Sequence, residues 1–113
     1  MKFHLRFARE AADELTALRS AAQAARSRSA GAKPSKQAGL VKQLDKALML
    51  LSENPRHPGL QTHEFNSIKN PLDPRGKVFE AYAQNRTAGA YRIFWCYGPG
   101  QGDITIIAIT PHP

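Results

Sequence analysis

Four polar residues in the second half of the chain have types suited to acid–base chemistry: His63 in "THEF", Glu80 in "KVFEAYAQ", Arg92 in "AYRIFWCY" and His112 in the closing "ITPHP". A carboxylate or an imidazole can take the proton of a ribose 2′-hydroxyl, and a second group can return a proton to the leaving 5′-oxygen. A guanidinium can hold the charge that grows on the phosphate between them. Such a set would cleave a phosphodiester without a metal. The same residues also admit a plain structural reading. Glu80 and Arg92 could form a cross-strand ion pair of little consequence, His63 could sit on a strand edge, and His112 could be a frayed terminal residue. His57, between Arg56 and Pro58, reads as loop, and no Cys or His pair has the spacing of a structural metal site, so no metal is expected. The "GPGQG" stretch lacks the lysine and following helix of a phosphate-binding loop and reads as a hairpin turn.

These residues need elements to position them. "KFHLRF" (2–7) alternates Phe3, Leu5 and Phe7 with Lys2, His4 and Arg6, the pattern of a half-buried strand. From Ala8 the period becomes helical, with Ala11, Ala12, Leu15, Leu18, Ala22 and Ala25 on one stripe and Glu10, Asp13 and Glu14 early, where the helix dipole favours anions. "SRSAGAKPS" (27–35) breaks this helix, and Ser35 can cap a second one. The second stripe is Leu40, Val41, Leu44, Ala47, Leu48 and Leu51, ended by Asn54-Pro55. Strands are expected at 60–65, 77–84, 90–97 and 103–110, with "NRTAG" as a turn. The order predicts one α+β domain over residues 1–113: an N-terminal strand, a helical hairpin, then an antiparallel sheet, with four or five strands in all.

Pairing Tyr97 with Asp103 across "GPGQG" sets Arg92 opposite Ala108 and puts the even residues of both strands on one face. The odd face, Tyr91, Ile93, Trp95, Tyr97, Thr105, Ile107 and Ile109, is bulkier and uncharged, so it should meet the helices. The even face then looks outward. An even offset across "NRTAG" places Glu80 directly opposite Arg92, about 5 Å away at Cβ. His112 would lie ~13 Å further along, at ~3.3 Å per residue.

The net charge of +7 and the pI of about 10.0 point to a polyanionic partner such as nucleic acid or the ribosome. No block of consecutive basic residues suggests a basic tail. Cys96 is the only cysteine, so no intramolecular disulfide forms, as suits a reducing compartment. The charged N-terminus has no apolar run long enough for a signal peptide or membrane span, so a soluble cytoplasmic protein without membrane association is expected.

The closing run "AYRIFWCY…ITIIAITPHP" resembles the last strands of the RelE/ParE superfamily of bacterial type II toxins, through Tyr91-Arg92-Ile93-Phe94-Trp95 and the histidine near the end. The order of strand, helical hairpin and curled sheet is similar too, and "HPGLQTHEF" is similar to the segment that follows the second helix in that family. The resemblance implies one of two activities: ribosome-dependent mRNA cleavage without metal or cofactor, or inhibition of DNA gyrase without cleavage. Either implies neutralisation by a cognate antitoxin. It implies that Arg92 stabilises the phosphate, that His112 is the general acid, that Glu80 or His63 is the base, and that Lys69 and Lys77 hold RNA. The chain departs from the pattern in three ways. Pro113 follows His112 where a tyrosine is often found, Trp95 replaces a common tyrosine, and the hairpin is longer than in the shortest nucleases. Beside these readings stands a third, a basic module that only docks a partner.

Overall fold

The change of period at Ala8 is where strand gives way to helix in the computed structural model, which describes residues 2–28, 36–84 and 89–111. Strand β1 (His4–Phe7) leads into helix α1 (Arg9–Arg28), with Glu10 in its first turn. Helix α2 (Lys36–Glu53) returns alongside it and stops ahead of Asn54-Pro55, because the residue before a proline is pushed out of the helical region. A 3-10 turn (Pro58–Leu60) and four strands follow: β2 (His63–Glu64), β3 (Phe79–Tyr82), β4 (Tyr91–Tyr97) and β5 (Asp103–Pro111). The cap expected at Ser35, most of the turn expected at "NRTAG", and His112 lie outside the described residues.

The five strands form one sheet in the order β1-β5-β4-β3-β2. The α+β expectation holds, with one refinement. β2 to β5 pair antiparallel, but β1 runs parallel to β5, so the sheet is mixed. Parallel neighbours need a crossover, and the long excursion through both helices is part of it. The strand expected over 60–65 is reduced to His63–Glu64. Leu60 is buried in the 3-10 turn instead, and Gln61 takes the left-handed region at φ 50.

The helices lay Ala11 and Leu15, and Leu44, Ala47, Leu48 and Leu51, against Ala81, Ile93, Trp95, Ile104, Ile106 and Ile109 of the sheet. Each large apolar side chain buried here contributes roughly 1.5–3 kcal/mol. Phe79 stacks on Trp95 with centroids 4.8 Å apart, and Tyr97 meets Trp95 edge-on at 4.9 Å.

The register differs from the sequence expectation in two places. Tyr97 pairs with Ile104, not Asp103, and a bulge between Phe94 and Trp95 shifts the pairing again, so that Arg92 faces Thr110 and not Ala108. Ile104 and Ile106 therefore join the core that the unbulged register denied them, and Ile109 still reaches it. Breaking the alternation at Ile106-Ile107 lets all three bury, which is the physical reason for the extra residue. On the other side, Glu80 pairs with Phe94, and Arg92 with Tyr82. Glu80 is thus diagonal to Arg92 and not directly across from it.

The face turned away from the helices is not open along its length. Phe65 packs on Phe94 at 4.6 Å, and Phe94, Cys96 and Val78 are all buried. The segment after Phe65 is held by Asn70, also buried. Its side-chain amide donates to the Lys77 carbonyl, and its side-chain oxygen accepts from the backbone N–H of Leu72 and Asp73. A Cβ on Gly76 would sit 2.5 Å from the Asn70 amide nitrogen, so glycine is required for that approach.

Candidate functional site

Strand alternation gathers one polar cluster on the outer face. Glu80 and Tyr82 are two apart on β3 and point the same way. β2 sets His63 opposite Glu80, and β4 sets Arg92 opposite Tyr82. A diagonal cross-strand neighbour is ~7–8 Å away, within reach of a long side chain. Arg92 covers that gap and donates from Nη1 to Glu80 Oε2 at 2.8 Å. On the other carboxylate oxygen, Tyr82 donates its hydroxyl at 3.0 Å and His63 Nε2 approaches to 2.6 Å.

The carboxylate is the hub of this cluster. Its side chain is 3% exposed, that of Arg92 14%, and that of His63 39%. Arg92 lies over the rings of Phe94 (4.8 Å) and Phe65 (5.7 Å), which are packed on each other at 4.6 Å, so the guanidinium rests on one aromatic pair. Its Nε is buried without a hydrogen-bond partner among the described residues.

His63 is boxed between two acceptors. Its Nδ1 lies 3.0 Å from the Gln61 carbonyl oxygen and its Nε2 faces the Glu80 carboxylate. The carbonyl can only accept, so Nδ1 carries the N–H of that contact, and Nε2 is left to the carboxyl group. Glu80 thus meets a guanidinium, an imidazole and a phenol. A carboxylate so buried is otherwise costly, and this pairing is what permits it.

Glu80, Arg92 and His63 therefore come together. Lys69 and Lys77 come together elsewhere, in an open cleft of about 470 Å³ between residues 64 and 78, to which Arg75 adds a third cation. Lys77 pairs at 3.0 Å with Glu64, next to His63 in the chain, and Phe65 lines both the cleft and the cluster. His57 stays in its loop, where Nδ1 accepts the Gly59 N–H at 3.0 Å. His112 lies outside the described residues. Sequence reasoning gave Tyr82 and Phe65 no role. The signal for Tyr82 was its two-residue spacing from Glu80, whereas Phe65 is placed by the loop that follows it and left no local trace.

No family model matches the chain, and no curated protein matches it in sequence. Solved structures do match. The chain is similar to the YoeB/ParE toxin from Agrobacterium tumefaciens, with a TM-score of 0.63 and 9% identity over 97% of this chain and 99% of that one. It is similar to a chain of the archaeal RelE–RelB complex from Pyrococcus horikoshii OT3, with a TM-score of 0.58 and 12% identity over 98% and 96%. It is also similar to the isolated E. coli RelE toxin, with a TM-score of 0.52 and 16% identity over 98% and 85%. At such identities the likeness is one of fold: these residues adopt the architecture of RelE/ParE-type toxins.

Proposed function

We propose that this chain is the toxin of a type II toxin–antitoxin pair and that it cleaves mRNA on the ribosome at the Glu80 cluster. The observation that carries the reading is the convergence of guanidinium, imidazole and phenol on one carboxylate, on the sheet face away from the helices, in this fold. The RelE–RelB complexes among its structural neighbours support a cognate antitoxin as partner.

In this reading the resting cluster already holds its groups in place around one carboxylate. An incoming phosphodiester exchanges with Glu80 for Arg92 and His63, and the guanidinium and the imidazole turn to the phosphate oxygens. Glu80, now released and ionised, takes the proton of the 2′-hydroxyl. The 2′-oxygen attacks phosphorus, the bond to the 5′-oxygen breaks, and that oxygen receives a proton from His112. The products are a 2′,3′-cyclic phosphate and a 5′-hydroxyl. The geometry of His63 favours Glu80 as base, since both ring nitrogens are already engaged, by the Gln61 carbonyl and the carboxylate. Lys69 and Lys77 line the route of the strand and make binding salt-sensitive.

Induced expression with mapping of transcript 5′ ends tests this. Arrest with discrete mRNA breaks is expected, and Glu80→Gln should lower cleavage by about 10²–10⁴, the span of a general base. A second reading has its own support. All three side chains turn inward onto a carboxylate that is 3% exposed, which suits a structural cluster in a gyrase-inhibiting toxin. Arrest with DNA damage and intact transcripts would select it. No arrest would leave only a basic docking module.

A further inference from the structure

The segment that links β2 to β3 walls the open cleft of about 470 Å³, and its lining mixes two chemistries. Phe65 and Ile68 give it apolar surface, while Lys69, Arg75 and Lys77 bring three cations against one carboxylate, Glu64. Lys69 and Arg75 are exposed and form no ion pair among the described residues. Lys77 meets Glu64 at 3.0 Å, but both side chains stand largely in solvent, so the pair is weak and a phosphate can take the place of the carboxylate. One side of the cleft is held firmly. Asn70 is buried with its side chain committed to three backbone groups, and Gly76 is packed against it.

Phe65 joins this cleft to the Glu80 cluster. Its ring packs on Phe94 at 4.6 Å, and the Arg92 guanidinium lies 5.7 Å from its centroid. The residue is only half-buried and lines the cleft, so aromatic surface remains for a further planar group. An apolar wall alone would suit many ligands. Three cations beside an aromatic ring select a polyanion that carries flat rings, and this is how proteins hold single strands: cations follow the backbone while bases stack. We infer that the cleft is a nucleotide subsite, which takes one unpaired base of single-stranded RNA against Phe65 and the flanking phosphates on Lys69 and Arg75. The choice of RNA rests on the cleavage reading, which the subsite deepens by seating the strand beside the Glu80 cluster; the aromatic and cationic walls do not depend on it. Every base has a face to stack, so the subsite positions the strand without choosing its sequence.

The test uses the full chain with a free RNA hexamer and an abasic hexamer of the same length and charge, binding being followed by anisotropy at stepped salt. Loss of one stacked base makes Phe65→Leu bind the RNA hexamer about 5–150-fold more weakly, with the slope of log K against log salt unchanged. Each phosphate contact on a single strand contributes about 0.7 to that slope, so Lys69→Gln combined with Arg75→Gln should lose about 1.4. Lys42→Gln combined with Lys46→Gln makes the same charge change on α2 and should keep the wild-type slope. The abasic strand should bind wild type and Phe65→Leu alike, and both weakly. Wild type that holds the abasic strand as tightly as the RNA hexamer, a Phe65→Leu variant with wild-type affinity, or equal slope losses in the two charge pairs would overturn the inference. Should Phe65→Leu melt below the wild type, the abasic strand on the wild-type chain decides alone, since it leaves the protein untouched. A DNA hexamer bound equally well through Phe65 would overturn the assignment to RNA. Wild-type chain that breaks no transcripts yet binds the RNA hexamer through Phe65 would end the cleavage reading and leave the subsite standing.

Discussion

Replacing Arg92 by methionine asks whether charge holds the cluster together. The variant keeps much of the apolar stem against Phe94 and Phe65 and removes the guanidinium 2.8 Å from Glu80. Glu80 is 3% exposed, so solvent does not readily replace the lost partner of Oε2. Removing one side of a buried pair costs about 3–5 kcal/mol. Two features lower that figure here: Arg92 keeps 14% exposure, and His63 still faces Oε1 at 2.6 Å. A loss of about 2–4 kcal/mol is expected on this scale, a large share of the ~5–15 kcal/mol of a typical domain. Urea titration followed by Trp95 fluorescence reads it well, since that ring is 1% exposed and stacked on Phe79 until the chain unfolds. The midpoint should fall with little change in the denaturant slope. Glu80→Met alone should also destabilise, by stranding the Arg92 guanidinium. The double variant should lose less than either single, because a buried pair exchanged for apolar side chains is often neutral, leaving a coupling of ~2 kcal/mol or more. Single losses that simply add in the double variant, or Arg92→Met with a wild-type midpoint, would refute the reasoning.

Burial pushes the Cys96 thiol up, which leaves less thiolate at neutral pH, so modification by a disulfide reagent should track global unfolding; rapid labelling of native protein would contradict this. Asn70→Ala strands the backbone groups of Leu72, Asp73 and Lys77 and should cost roughly 1–3 kcal/mol, with faster proteolysis inside 66–76 as the local readout. Asp45→Ala removes an exposed ion pair with Arg19 and should shift stability by less than ~1 kcal/mol despite its short contacts, measured by the same titration.

The helices were legible because their signals are local. The stripe through Leu44, Ala47, Leu48 and Leu51 repeats within two or three turns, and each of those residues is buried. The pairing of β1 was not legible: "KFHLRF" announces a strand, but nothing in it says that β5 is its neighbour or that the two run parallel. Between the strands expected at 60–65 and 77–84, the turn formers of "SIKNPLDPRG" give no hint that Asn70 is buried, and the strand pattern gives none that Val78 is buried over the outer face. Long-range burial of this kind depends on what the loop folds against, which no window of sequence contains.

Why the Glu80–Arg92 pair survived a wrong register is a matter of parity. The strand period is two, so sliding β3 along β4 by two residues exchanges neighbours but keeps every side chain on its face, whereas sliding by one would drive Glu80 into the core and Ala81 out of it. Ala81 and Ile93, both fully buried, forbid the odd slip. The carboxylate and the guanidinium therefore share a face in any register the apolar residues tolerate, and their long side chains absorb the remaining offset. β5 has no such protection. The extra residue at its bulge reverses parity partway along the strand, sending Ile104 and Ile106 inward by one count and Ala108 and Thr110 outward by the other. A face assigned to any residue after Ile107 turns on that single insertion. This is why the pairing of Arg92 with Thr110 had to come from the structure, while its partnership with Glu80 could be read from alternation alone.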